Sequence, residues 1–285
     1  MKACFCLLFL MIICSQAGAK PQTYVGSTPP HAVVREFFRI SLVDSIDFIR
    51  WKLEINSPRF KLVAKYGISK PGTPGFINEQ SVAFEGQLNQ SGHYYHLEHE
   101  GKVLSILEIN QNVLHLLDRN GNMLIGNGGY SFALNNINPI DTGAFNLKAK
   151  QSVTPNPQVF EGRTLCRDLA IQLGLEKNED CNKMKWYILL YMDTLTGNPS
   201  YFMMGGMGYR KETMAKGSWQ IITEQSGRIL YRLSFDGWAR PLDLLKGDDN
   251  ILFFIDTRGH LLSGDEDFSY TLNRKTEEYP RVKNN

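Results

Sequence analysis

VLHLLDRNGNMLIGNGGYSFALN, from Val113 to Asn135, occurs a second time as ILFFIDTRGHLLSGDEDFSYTLN, from Ile251 to Asn273. Leu114, Asp118, Gly121, Leu124, Gly126, Ser131, Leu134 and Asn135 return as Leu252, Asp256, Gly259, Leu262, Gly264, Ser269, Leu272 and Asn273 without a gap. Val113/Ile251, Leu117/Ile255, Met123/Leu261 and Tyr130/Phe268 exchange one apolar residue for another. An internal repeat of this length means the chain is a tandem duplication. Each copy is an apolar run, an Asp-x-x-Gly turn, a second apolar run, another turn and a third run. The Asp side chain closes such a turn and Gly supplies its left-handed position, so short branched and aromatic runs on either side predict a hairpin. In the third run Tyr130, Phe132 and Leu134 alternate with Ser131, Ala133 and Asn135, the period of a strand with one buried face. Asp118-Arg-Asn120-Gly121-Asn122 has oxygen ligands at calcium-loop spacing. Its twin, Asp256-Thr-Arg-Gly259-His, keeps the turn residues and lacks the second ligand, so the pattern reads as a turn.

Outside this stretch the duplication continues. Tyr24-Val-Gly26-Ser-Thr28 answers Phe160-Glu-Gly162-Arg-Thr164, and a helical stretch follows each, Ala32 to Val43 and Arg167 to Leu175. These helices are too apolar to be fully exposed and are expected to plug a barrel end. Each copy then opens a strand on a tryptophan, Trp51 or Trp186. Phe60 to Gly67 answers Phe202 to Tyr209, Phe84-Glu-Gly86 answers Ala215-Lys-Gly217, and Tyr94 to Leu97 answers Leu230 to Leu233. Short strands at regular spacing predict an all-β chain of two tandem antiparallel meander barrels, lipocalin-like, each with a short helix near its start. The expected boundaries are a first barrel over 22–136, a linker over 137–157 rich in Asn, Pro, Thr and Gly, a second barrel over 158–274, and a charged, disordered tail over 275–285.

Residues 1–19 read as a signal peptide: Lys2, an apolar core from Cys4 to Cys14, and Ala17-Gly18-Ala19 as the cleavage site. The core is shorter than the roughly 20 residues of a spanning helix, so the mature chain carries no transmembrane segment. Cys14 follows Met11-Ile12-Ile13 and lacks the small residue of a lipid-anchoring signal; anchoring through Cys14 is the lesser reading beside a free periplasmic or extracellular protein. The formal charge of +2 falls to +1 without Lys2, which gives no footing for nucleic acid. Of five cysteines, Cys166 and Cys181 survive cleavage, and Pro30 and Ile46 replace them together in the first copy. In an exported chain that pattern is a disulfide, expected to contribute about 3 kcal/mol for a loop this short.

Asn250-Ile-Leu-Phe-Phe-Ile-Asp256-Thr-Arg-Gly259-His-Leu-Leu, with Phe268-Ser-Tyr-Thr-Leu272 after it, resembles the end of the N-terminal domain of the NlpE family of envelope lipoproteins. Gly162 to Cys166 is similar to that family's Gly-x-x-x-Cys opening. Both copies carry the pattern, so the resemblance covers most of the mature chain. It implies a lipocalin-like barrel in the cell envelope and a role in stress sensing, adhesion or metal handling. The family's Cys-x-x-Cys pair has no counterpart, since Arg167, Asp168 and Leu169 follow Cys166.

Candidate chemistry is sparse. His93, His96 and His99 have metal spacing on a helix, but on a strand His93 and His99 share a face that His96 leaves. Met203, Met204, Met207 and Met214 offer soft thioethers to copper, against ordinary core filling. Trp51, Trp186, Tyr130 and Phe268 are the candidate wall of a cavity for a small apolar ligand, or else the filling of a solid barrel. No nucleophile elbow or phosphate loop is present, and an envelope hydrolase with its site between the barrels would need distant carboxylates to converge. The expectation is a non-enzymatic binding or stress-sensor protein without cofactor, whose partner is an envelope protein or a small apolar molecule.

Overall fold

The computed structural model describes residues 21–147, 156–173, 181–206, 214–237 and 240–275. The expected leader with Cys4, Cys6 and Cys14, the residue Met207, part of the linker, and the tail beyond Lys275 lie outside the described residues.

The first barrel comprises β1 (Gln22–Thr28), α1 (Ala32–Phe38), β2 (Phe48–Asn56), β3 (Arg59–Ser69), β4 (Phe76–Ser91), β5 (Tyr94–His99), β6 (Lys102–Asn110), β7 (Val113–Leu116) and β8 (Ala133–Asn136). Neighbouring strands pair in chain order, and β8 returns to β1 through Tyr24↔Asn136 and Val25↔Asn135, closing the sheet. The second barrel repeats the plan with β9 (Gln158–Thr164), α2 (Arg167–Leu173), β10 (Met184–Met192), β11 (Pro199–Gly205), β12 (Ala215–Thr223), β13 (Ile229–Phe235), β14 (Leu242–Lys246), β15 (Ile251–Phe254) and β16 (Thr271–Arg274). It closes through Asn273↔Glu161 and Arg274↔Phe160. The chain is therefore all-β, two tandem eight-stranded meander barrels. Closure leaves no open sheet edge in either.

Alternation along β2 sends Trp51, Leu53 and Ile55 inward, where they meet Tyr24, Phe60, Leu62, Leu97 and Leu104 in a filled lumen. Val34, Phe37 and Phe38 of α1 join that core and plug one end, with Phe38 edge-on to Trp51 at 4.6 Å. The helix is shorter than the sequence pattern predicts. Arg39 takes a left-handed conformation and ends it, while the buried Arg35 guanidinium donates to the carbonyls of Pro30, Ser41 and Asp44 and folds the next loop back. In the second barrel Cys166 and Cys181 are bridged, their Cα atoms 5.9 Å apart, within the ordinary span of a disulfide. The bridge joins the start of α2 to the segment leading into β10.

The two barrels pack against each other about a pseudo-two-fold axis. Outward-facing Leu107, Ile109, Val113 and Ala133 of the first meet Leu230, Leu245, Ile251 and Phe253 of the second in a third apolar core, which Leu117, Met123, Ile255 and Leu261 complete. Polar contacts are reciprocal. Gly126 N donates to Asn273 Oδ1 at 2.8 Å and Gly264 N to Asn135 Oδ1 at 2.9 Å. The hydroxyls of Ser131 and Ser269 bond to each other, and His115 lies edge-on to Phe253, 6.0 Å between centroids. Such self-complementarity is the signature of an isologous interface. A Cβ on Gly126 or Gly264 would fall about 2 Å from the carbonyl of Tyr130 or Phe268 (2.2 and 2.1 Å), so glycine is required in both copies.

This junction corrects two sequence expectations. The second apolar run makes no hairpin strand; it contributes one isolated bridge per copy, Leu117↔Met123 and Ile255↔Leu261, and β7 pairs directly with β8. Its backbone bonds back to its own barrel, Leu124 N donating to Leu116 O at 3.0 Å and Leu262 N to Phe254 O at 3.1 Å, before Gly126 and Gly264 donate to the other barrel. The third run is buried on both faces: Phe132 and Leu134 enter the lumen, whereas Ser131, Ala133 and Asn135 are covered by the other barrel.

Candidate functional site

The end of the first barrel opposite α1 is open. β1 begins there, β2, β4 and β8 end there, and β5 begins there, so closure of the sheet gathers side chains that are far apart in sequence. They surround a cleft of about 550 Å³ lined by Gln22, Ile55, Asn56, Gln90, Tyr95 and Asn136, with Asn138 and Ile140 of the following segment as one bank. The bank is held in place: Asn112 donates through Nδ2 to Ile140 O at 2.6 Å and accepts from Ile140 N at 2.8 Å. Asn136 fixes its own neighbourhood, donating to Gln111 O at 3.0 Å and accepting from Asn138 N at 2.9 Å.

None of the described residues lining the cleft is charged. The Glu108 carboxylate stands behind this wall, beside Tyr95. Burial first, and then the Glu108 charge, push the Tyr95 phenol up to about 12. Burial likewise raises Tyr24, whose hydroxyl donates within reach of Gln22 Oε1 and Gln111 O, each 3.1 Å away. Both phenols therefore stay protonated at ordinary pH and serve as neutral donors. Amides and phenols both donate and accept, which suits a ligand rich in hydroxyl or amide groups. The volume lies within the range of small-molecule sites.

The residues singled out from the sequence lie elsewhere. Trp51 and Trp186 face their own lumens, 1% and 2% exposed, and donate to Thr28 Oγ1 at 2.9 Å and Thr164 Oγ1 at 2.8 Å. Tyr130 stacks on Phe48 at 4.6 Å, and Phe48 stacks on Phe76 at 4.2 Å, beside the junction where Arg50 pairs with Asp267. Phe268 lies 5.7 Å from Lys183 Nζ. The tryptophans thus face the lumens, while Tyr130 lies beside the junction. Met203 and Met204 project from opposite faces of β11, Met204 against the second core. His96 bonds to Ser105 Oγ at 3.0 Å, while His99 bonds to Glu85 O at 3.1 Å and stacks on Phe84. Among the described residues no three His, Cys, Asp or Glu side chains are grouped to hold a metal. The mouth residues Gln22, Gln90 and Asn136 carry no motif; the signal that marks them is polar amides at inward positions on the last turn of several strands.

No protein-family model, no curated protein and no solved structure matches this chain.

Proposed function

We propose that this chain is an exported, non-enzymatic binding protein of the cell envelope, in a sensing role like that of the NlpE family it resembles, and that the open mouth of its first barrel takes a small, neutral, hydroxyl-rich molecule such as a short saccharide. The observation that carries the reading is the uncharged, amide-rich mouth with the Tyr95 ring in its wall. The bridged Cys166–Cys181 pair supports export, because disulfides persist in oxidising compartments. Among the described residues no helix is long and apolar enough to cross a membrane.

Saturation-transfer NMR with neutral mono- and disaccharides, and with a fatty acid alongside, tests the ligand class. Saccharide signals should appear and should weaken about tenfold in affinity with Gln90→Ala, the loss expected for about 1.4 kcal/mol of hydrogen bonding. Saturation of the fatty acid alone would sink the reading. N-terminal sequencing of the protein from its host should begin at Lys20; a retained Met1 would end the export part of it.

A further inference from the structure

Two grooves flank the pseudo-two-fold axis, and only one is filled among the described residues. The filled one runs between the turn 256–263 and the loop 110–112. The segment that leaves the first barrel lies along it: Ile140 exchanges two hydrogen bonds with the Asn112 side chain, and Asp141 lies 2.9 Å from Arg258 Nη1 and 2.7 Å from His260 Nδ1. A Cβ on Gly143 would stand 3.1 Å from the His260 ring, so the chain passes directly over it. The other groove lies between the equivalent turn, 118–125, and the equivalent loop, 248–250. It has a volume of about 540 Å³ and is walled by Asp118, Asn122, Leu124, Asp248 and Asp249.

The chain departs both barrels by the same path. Asn136 N donates to Asn112 O at 2.8 Å and Ile137 N to Thr23 O at 3.0 Å; Arg274 N donates to Asn250 O at 2.7 Å and Lys275 N to Val159 O at 2.8 Å. At Ile137 the first departure turns into its groove, and at Lys275 the second stands at the mouth of the open one. We propose that residues 276–285 of this same chain dock in extended form in the open groove, as residues 138–143 do in the filled one. Ten extended residues reach roughly 33 Å, ample for a trough that six residues fill.

The wall charges of the two grooves differ. In the filled groove an acid of the strap, Asp141, meets the bases Arg258 and His260. In the open groove those two positions are Asn120 and Asn122, and the acids belong to the wall, Asp248 and Asp249 on a loop that is two residues longer in the second copy. Asp249 already holds Lys246 at 2.7 Å, while Asp248 beside it is partly buried and accepts from Asn250 N at 2.7 Å. The tail brings Arg281 and Lys283, after Glu277 and Glu278. The bases thus come at the far end of the tail, Arg281 at the equivalent of Gly143 and Lys283 two residues past it.

Hydrogen exchange read by mass spectrometry compares the full chain with one ending at Lys275. Segments 118–125 and 248–250 should exchange about tenfold faster in the shortened chain, with β3 and β4 unchanged as the internal control for folding. A synthetic peptide of residues 276–285 should restore the protection in the shortened chain and bind the full chain more weakly. Arg281→Glu in the full chain should reproduce the truncation. Equal exchange in the two chains would overturn the proposal. So would equal peptide binding to both, which would mean the groove stands open in the full chain. A shift from dimer to monomer on truncation, seen by sedimentation, would place the tail in a second copy and overturn it as well.

Discussion

The two copies resemble each other closely at 113–135 and 251–273, and far less along β4 and its counterpart. The difference follows contact. Residues 113–135 touch their own repeat across the junction, so a change on one side must suit the other, whereas β4 lies mostly exposed. Within Phe84-Glu85-Gly86 and Ala215-Lys216-Gly217 only the glycine is shared. That glycine also has a contact to answer for, since a Cβ would fall 2.2 Å from Glu98 O in one barrel and 1.9 Å from Ser234 O in the other. Likeness between the halves therefore marks a neighbouring atom, in the lumen or in the opposite barrel.

The largest expected effect tests the lumens. Trp51→Ala and Trp186→Ala should each cost about 3–5 kcal/mol in urea unfolding, because each removes a fully buried ring and orphans its threonine. Costs that differ between the barrels by more than about 2 kcal/mol would break the equivalence of the two interiors.

The next concerns the place where the junction is least symmetric. His115 is fully buried, its Nδ1 bonds to Leu116 O at 3.0 Å, and Nε2 has no partner. Burial lowers its pKa from the ordinary 6.5 to about 4, with the Leu116 bond opposing. The folded chain keeps this imidazole neutral while the unfolded chain takes up a proton below about pH 6.5. Its contribution is thus intact above that pH and is lost as pH falls toward 4, about 3 kcal/mol over the span. His115→Phe, which copies Phe253, should flatten that part of the stability–pH curve. An unchanged slope would show that other groups carry it.

The smallest effect sharpens the reciprocity. Asn135→Ala and Asn273→Ala each strand a buried glycine N–H, at about 1–3 kcal/mol. Asn135→Ala should be the costlier, because its amide also donates to Asp265 O at 3.2 Å. The reverse order, from thermal melts of both variants, would contradict the bonding described.

The barrels were legible because strand patterning and duplication are local signals. The junction was not read, although it left a trace: VLHLL and ILFFI do not alternate, and a strand without alternation is covered on both faces. Ser131 and Asn135 hid the second buried face, since their polarity suggests solvent until the opposite barrel supplies their partners. The mouth could not be read from neighbouring residues at all. Gln22, Gln90, Tyr95 and Asn136 come together only when β8 closes on β1. Asn138 and Pro139 look like a loose connector, yet two bonds from Asn112 lay the connector down as one bank of the cleft.

Residues 137–157 have a further consequence as a tether. Two separate barrels would hold this junction only above its dissociation constant, and each would have to present the same residues to the other. Joined in one chain, they see an effective local concentration on the order of millimolar, independent of dilution. Either half is then free to change alone. His115 facing Phe253 and a disulfide confined to the second barrel are arrangements that two identical chains could not keep on one side only.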